Sequence, residues 1–579
     1  MAKNADFYDT VISRDLINSF QLDTLTLENQ NDKSFILKSG ANKVEVVYEP
    51  LRLDFYSNEV LVISANARQL MRFEATKEKT EENNNDDHGT WEESFGGNTD
   101  SKPRGPQAVA MDFTFVGSKH LFGVPEHADR FSLVDTSVTD PYRLYNLDVF
   151  EYELWNPMAL YASIPFVMSH NAKRSSGLFW LNAAETWVDI RKDDQNAGFL
   201  GSLFGSSKEK EDATHAHFMS EAGIIDAFVL LGPGPKDIST QYAGLTGSTP
   251  LPPLFSIAYQ QCRWNYNDQE DVRMVADKFD EHDMPMDVMW LDIEHTDGKK
   301  YFTWDTRKFP DSVGMIQNLT SVGRKLVTIV DPHIKKDQSY WVHKDLTDLG
   351  LYVKNKDGGD YEGWCWPGAS YYPDFLKPEA REYFSEQYML DNYKGSTLDL
   401  FTWNDMNEPS VFNGPEVTMP KDLMHVGNVE HRELHNIYGH LYVMGTHAGH
   451  LKRSNNQLRP FILTRSAFAG TQRLVNEKVP TVVKSLLILL FITDTQLFGL
   501  AIILLVGITW KPQCQCACPF QFQALLIAVL MWVASSATRM ARSLSGGTKQ
   551  VLGNPFSDLM PISIQNAANP GCILNKKWL

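Results

Sequence analysis

Leu398–Glu408 reads LDLFTWNDMNE, an apolar run that breaks into a dense cluster of acids and amides. Four more stretches share that pattern: Ser256–Trp264 (SIAYQQCRW), Met286–His295 (MDVMWLDIEH), Lys325–Ile334 (KLVTIVDPHI) and Pro460–Ser466 (PFILTRS). Each has the length of a buried strand, and helical stretches lie between them, which is the βαβ rhythm of a parallel sheet or barrel. Their polar ends carry Arg263, Asp292 and Glu294, Asp331, Asp405 and Glu408, and Arg465. In a (β/α)8 barrel the strand C-termini converge on one face, where the chemistry sits. Acids without a function would scatter rather than recur at strand ends. The pattern therefore predicts a catalytic α/β barrel that starts after the Pro-rich hinge STPLPPLF, Ser248–Phe255.

The preceding part has another rhythm. Val44–Tyr56, Gly177–Ile190 and Gly223–Gly232 are rich in β-branched and aromatic residues and are separated by turn clusters. This predicts an all-β sandwich over residues 1–247. Residues 76–94 are polar and low in complexity, and are expected to form a disordered loop between two strands. At 579 residues the chain is too long for one core. A net charge of −18 argues against nucleic acid as a partner, because phosphates need a basic face. Six cysteines do not make a disulfide framework in a chain of this length, and MAKNADFYDT has no apolar signal-peptide core.

Paired carboxylates without a P-loop, GxGxxG, HExxH or serine-elbow motif point to acid/base or nucleophilic work on a sugar, with no cofactor and no metal. Trp264, Trp290, Trp364, Trp366, Trp403 and Phe412 could offer flat apolar faces to pyranose rings, although aromatic residues are more often core. On its WLDIEH, WNDMNEPSVF and LTRSAFAGTQR blocks the chain resembles glycoside hydrolase family 31. YRLYNLDVFEYELWNPMALY, CRWNYND, GKKYFTWD, YEGWCWPG and EHRELHNIYG narrow the resemblance to the branch that trims α-1,3-linked glucose from N-glycans in the endoplasmic-reticulum lumen.

The resemblance implies a galactose-mutarotase-like sandwich and a retaining α-glucosidase barrel, with a glucosylated glycan as substrate and a β-subunit as partner. It implies Asp405 as nucleophile and Asp292 as a ligand of sugar hydroxyls. Arg465 is implied to keep Asp405 ionised, Trp403 and Phe412 to line the pocket, and Trp366 to line the next subsite. Asp148 is implied to reach in from a sandwich loop, with a turn or cap role as the alternative. Asn318-Leu-Thr is a glycosylation sequon that adds little.

The resemblance stops at Arg473. A retaining enzyme needs a second carboxyl about 5–5.5 Å from the nucleophile. The family's WTGDN block, which supplies it, is not written after LTRSAFAGTQR. Ser485–Trp510 and Ala524–Ala534 are apolar, but Asp494 interrupts the first and leaves Leu497–Trp510, so both remaining pieces fall short of the roughly 20 residues needed to span a bilayer. No membrane insertion is therefore expected. Codons for Phe498–Lys511, Ala528–Ser536 and Asn554–Ile562, read one base early, permit three family blocks in order, WTGDN among them. The expectation is that the barrel occupies 248–473, with an insertion at about 336–375. Residues 474–579 are then a retained intron followed by frame-shifted sequence, leaving the chain inactive. The alternatives are a non-catalytic glycan- or subunit-binding remnant and a tail-anchored membrane protein.

Overall fold

The computed structural model describes residues 26–83, 89–193 and 212–474. The tail on which the frame-shift and membrane expectations fall lies outside the described residues. No described helix is long and apolar enough to cross a membrane.

The first part is all-β. A ten-stranded antiparallel sheet packs against a four-stranded one, which runs Leu121–Gly123, Phe166–His170, Ser175–Trp180 and Ala227–Leu231. Alternation fixes which side chains face inward. Along Ala213–Ser220 every second residue is buried, starting at Thr214. Trp180 of the small sheet stacks on Phe218 of the large one at 5.7 Å and meets Phe113 edge-on at 6.3 Å. Its indole Nε1 donates to Ser220 Oγ at 2.9 Å.

Two sequence expectations are refined here. The β-rich Gly177–Ile190 is divided between two sheets: Ser175–Trp180 lies in the smaller and Thr186–Lys192 in the larger. Asn182 makes the crossing, accepting from Ala184 N and donating to Ala222 O, each at 2.9 Å. All residues from Ser175 to Thr186 are buried, the polar Asn182, Glu185 and Thr186 of the break among them. The 76–94 stretch is also not featureless, although 84–88 lie outside the described residues. Trp91 is buried with its Nε1 donating to Asn83 O at 2.7 Å, and Glu92–Phe95 pairs with Asn98–Ser101. A lone tryptophan supplies the apolar anchor that the polar composition hid.

The second part holds five parallel strands in sequence order: β1 (Gln260–Gln261), β2 (Val288–Leu291), β3 (Lys325–Val330), β4 (Leu400–Asn404) and β5 (Ile462–Thr464). Each falls within one of the five stretches singled out above. Helices α1 (Gln269–Glu281), α2 (Ser312–Ser321), α3 (Pro378–Gln387) and α4 (Tyr438–Arg453) lie between successive strands. Asp268 caps α1, accepting from Asp271 N at 2.8 Å, and Val272, Val275, Ala276 and Phe279 bury one stripe of it. Between β3 and α3, Ile334–Lys335, Glu362–Cys365 and Gly368–Tyr371 build a small antiparallel sheet. Among the described residues β1 and β5 each pair on one side only, and Leu254 and Ile257 near β1 are exposed.

Helix α4 packs closely on α3. A Cβ at Gly449 would lie 2.6 Å from the Tyr388 ring and 2.8 Å from Ser385 O. Gly449→Ala is therefore expected to cost about 1–3 kcal/mol by overpacking, read as a lower urea midpoint with an unchanged m-value.

Candidate active site

Strand β4 is buried along its whole length and delivers Asp405 at its C-terminal end, 5% exposed. The loop that follows is tied to β5: Asn407 Nδ2 donates to Thr464 Oγ1 at 2.9 Å and Asn407 Oδ1 accepts from Ser466 N at 3.0 Å. Arg465 N donates to Asn404 O at 3.0 Å, so the strand ends of β4 and β5 set Arg465 and Asp405 side by side.

Arg465 is the hub. Its Nε and Nη2 donate to the two oxygens of Glu408 at 2.7 and 2.8 Å. Nε also lies 3.2 Å from Asp405 Oδ1, and Nη2 3.5 Å from Asp148 Oδ2. Its planar face sits over the Tyr161 ring at 5.2 Å. Burial disfavours the guanidinium charge, but Asp405, Glu408 and Asp148 outweigh it, so Arg465 stays protonated. Its fork thus serves chiefly Glu408 rather than Asp405. Glu408 is fully buried, and a carboxylate cut off from water needs a bidentate partner. Burial still raises the Glu408 pKa against the pull of Arg465.

Asp148 comes from a loop of the all-β part and accepts from Ser410 Oγ at 2.7 Å. Its contacts are with Arg465 and Ser410 at the strand-end cluster. Asp292, at the end of β2, accepts from Ile293 N at 2.6 Å and caps a short 3-10 turn. Its charge also acts on Asp331, at the end of β3. Asp331 is fully buried; burial first and Asp292 among its neighbours push its pKa up to about 8. The Tyr301 hydroxyl donates to Asp331 and lies 2.9 Å from His333 Nε2.

The aromatic candidates divide. Trp403 is buried and meets Trp290 edge-on at 5.8 Å. Phe412 and Trp366 form an edge-to-face pair at 4.7 Å, with Trp366 partly exposed as a rim should be. Trp264 is 71% exposed and makes no ring contact with the other site aromatics among the described residues. Glu126 was not legible in advance. It comes from the all-β part, and burial with the nearby Glu408 charge raises its pKa to about 8. Nothing in its local sequence, VPEHAD, marks it. Among the described residues no group of three or more His, Cys, Asp or Glu side chains could hold a metal ion.

Comparison with known proteins agrees with this architecture. Residues 13–189 match the glycosyl hydrolase 31 N-terminal galactose mutarotase-like domain, and residues 249–477 match the glycosyl hydrolases family 31 TIM-barrel domain. Neutral alpha-glucosidase AB of Sus scrofa is 49% identical over 485 residues, covering 78% of this chain and 51% of the relative. A crystal structure of glucosidase II alpha subunit, alpha3-Glc2-bound, is 47% identical with a TM-score of 0.76, over 80% of this chain and 51% of that one. The same figures hold for a crystal structure of the ER glucosidase II heterodimeric complex, consisting of a catalytic subunit and the binding domain of a regulatory subunit. This chain spans about half the length of these relatives. With both domains matched, and acids gathered at the strand ends of its barrel, the chain belongs to glycoside hydrolase family 31.

Proposed function

We propose that this chain carries the nucleophile half of a retaining α-glucosidase site that acts on terminal α-linked glucose, the α-1,3-glucose of N-glycans in particular. The observation that carries the reading is the Arg465 hub, which gathers Asp405, Glu408 and Asp148 at the ends of β4 and β5. In double displacement Asp405 attacks the anomeric carbon as the glycosidic oxygen leaves, forming a glucosyl ester that water then hydrolyses. Asp292 and Asp148 hold hydroxyls of the departing glucose. Trp403 and Phe412 line its pocket and Trp366 the neighbouring subsite. Likeness to the heterodimeric ER enzyme supports a regulatory β-subunit as partner and the ER lumen as compartment.

The acid/base carboxyl belongs to the WTGDN block, which the written sequence replaces after Arg473. On this reading residues 474–579 derive from a retained intron and a shifted frame. The chain as written therefore turns over no aryl α-glucoside to a measurable degree. Asp405 is nonetheless expected to react with a substrate whose leaving group needs no proton. With 5-fluoro-α-glucosyl fluoride the C1–F bond breaks, fluoride departs, and an Asp405 ester remains, adding one fluoroglucosyl mass. The D405N variant is expected to stay unlabelled. Turnover of the aryl glucoside that depends on Asp405 would show the chain to be a complete catalyst. Binding of a glucosylated glycan without labelling would instead favour a non-catalytic remnant. Transcript sequence between the codons for Arg473 and Phe498 tests the splice account separately, since a form lacking Leu474–Gln496 should restore WTGDN.

A further inference from the structure

Three histidines form a continuous hydrogen-bonded chain beneath the site. Asp374 Oδ1 lies 2.7 Å from His425 Nδ1, His425 Nε2 lies 3.1 Å from His431 Nδ1, and His431 Nε2 lies 2.8 Å from His435 Nδ1. His435 Nε2 then lies 2.7 Å from the carbonyl oxygen of Asn146. His431 and His435 are wholly buried and His425 is 5% exposed, so no bulk water completes the pattern.

Counting protons along this chain gives a definite result. It has four hydrogen bonds and needs four protons. Three neutral imidazoles carry one N–H each, which supplies three. Both ends are acceptors: the Asn146 carbonyl can only accept, and a carboxylate can only accept. His435 must therefore donate through Nε2, and accept at Nδ1 from His431. His431 must in turn accept from His425 Nε2. His425 Nδ1 is left facing the Asp374 carboxyl, and a hydrogen bond exists there only if a fourth proton lies between them, on that nitrogen or on the carboxyl oxygen.

We propose that His425 is held as a buried imidazolium against Asp374, and that this excess proton fixes the direction of the whole chain so that His435 anchors the loop carrying Asp148. The anchored carbonyl lies two residues before Asp148. Asn146 is further held by Ser466 Oγ and by the side chain and carbonyl of Asn436. The histidine chain thus acts as a positioning device for a site residue supplied by the other domain. The proton assignment stands on the hydrogen-bond geometry, while the role of Asp148 as a site residue rests on the glycosidase reading.

The surroundings favour the proton at the Asp374 end. Asp374 accepts from Val426 N at 2.8 Å and Leu376 N at 3.2 Å as well as from His425, a set that suits an ionised carboxylate. Burial raises its pKa, but the His425 charge and hydrogen bond, the Val426 N–H and Lys377 together bring it below the usual range. At the other end burial, aided by Lys421 and Arg143 against Glu185, lowers the His435 pKa to about 3. Burial, the two neighbouring rings, Arg432 and Lys421 likewise hold His431 neutral. Tyr145 stacks on His435 at 3.9 Å and Tyr438 packs on His431, and both rings exclude water.

The test is nitrogen NMR of the full chain labelled with 15N-histidine, at neutral pH. One buried ring should show both nitrogens protonated, its signals disappearing in H425Q, and two should be neutral Nε2–H tautomers. The D374N variant is the second arm. Its amide can donate to His425 Nδ1, so all four hydrogen bonds survive without an excess proton and the imidazolium signals should be lost while the fold is kept. Three neutral rings in the unsubstituted protein, or an imidazolium that persists in folded D374N, would overturn the proposal.

Discussion

Replacing Arg465 by methionine is expected to lower unfolding stability by about 3–5 kcal/mol, the range for removing one partner of a buried ion pair. The guanidinium is the nearest cation to Glu408, Asp405 and Asp148 at once, and Glu408 is fully buried. Without it these carboxylates must share the site as anions or take up protons. The sign with pH follows. The Glu408 pKa is already raised in the folded protein, and losing Arg465 raises it further. A group with a raised folded pKa contributes stability below its unfolded pKa, and that stability is lost as pH rises through the folded value. The deficit of R465M should therefore be small in acid and grow toward neutral pH. Pairing it with Glu408→Leu should recover part of the loss, since an apolar pair is often no worse than a buried ion pair. Urea denaturation at several pH values measures all three. A deficit that does not change with pH would refute the assignment of Arg465 as counter-charge to buried acids.

Asp331 gives the second large effect. Its carboxyl goes from an ordinary pKa of 3.8 to about 8 on folding, chiefly through burial. As pH rises from about 4, the unfolded chain releases this proton while the folded protein keeps it. Stability from this group is full below the unfolded pKa and declines until the folded carboxyl ionises near 8. Asp331→Asn retains an acceptor for the Tyr301 hydroxyl and cannot ionise. The stability of D331N relative to the unsubstituted protein should thus rise with pH between these limits, by several kcal/mol in total. Parallel stability curves for the two proteins would mean that Asp331 is ionised in the fold, and that its proton plays no part.

The parallel strands were legible because a strand buried on both faces has to be a short continuous apolar run, and each run here ends abruptly in polar residues. That rule does not depend on context. It also found Asp405, Arg465 and Asp331, since the residue after a barrel strand points into the shared face wherever the strand lies. Where everything is buried the same rule fails. Within Gly177–Ile190 the chain crosses between sheets through buried Asn182 hydrogen bonds, and burial of the polar residues at the break keeps it from showing as an exposed turn.

Family motifs brought in Asp148, Trp366 and Phe412, and the structure puts Asp148 against Ser410 and Phe412 against Trp366. Trp264, singled out only as a flanking aromatic, is exposed and makes no ring contact with the other site aromatics among the described residues.

By itself, then, the sequence determined the layers, the five strands and which polar residues end them. These follow from local periodicity and from which residue types end a strand. Only the tertiary structure decided how charge is shared. Arg465 bonds Glu408 more closely than Asp405, Glu126 enters from the other domain, and three histidines line up between Asp374 and Asn146. Electrostatic partners are chosen by distance and burial, and both are set by long-range packing. Residues 304 positions apart in the chain cannot announce in a local pattern that they will meet, as Arg465 and Tyr161 do only once both domains are folded.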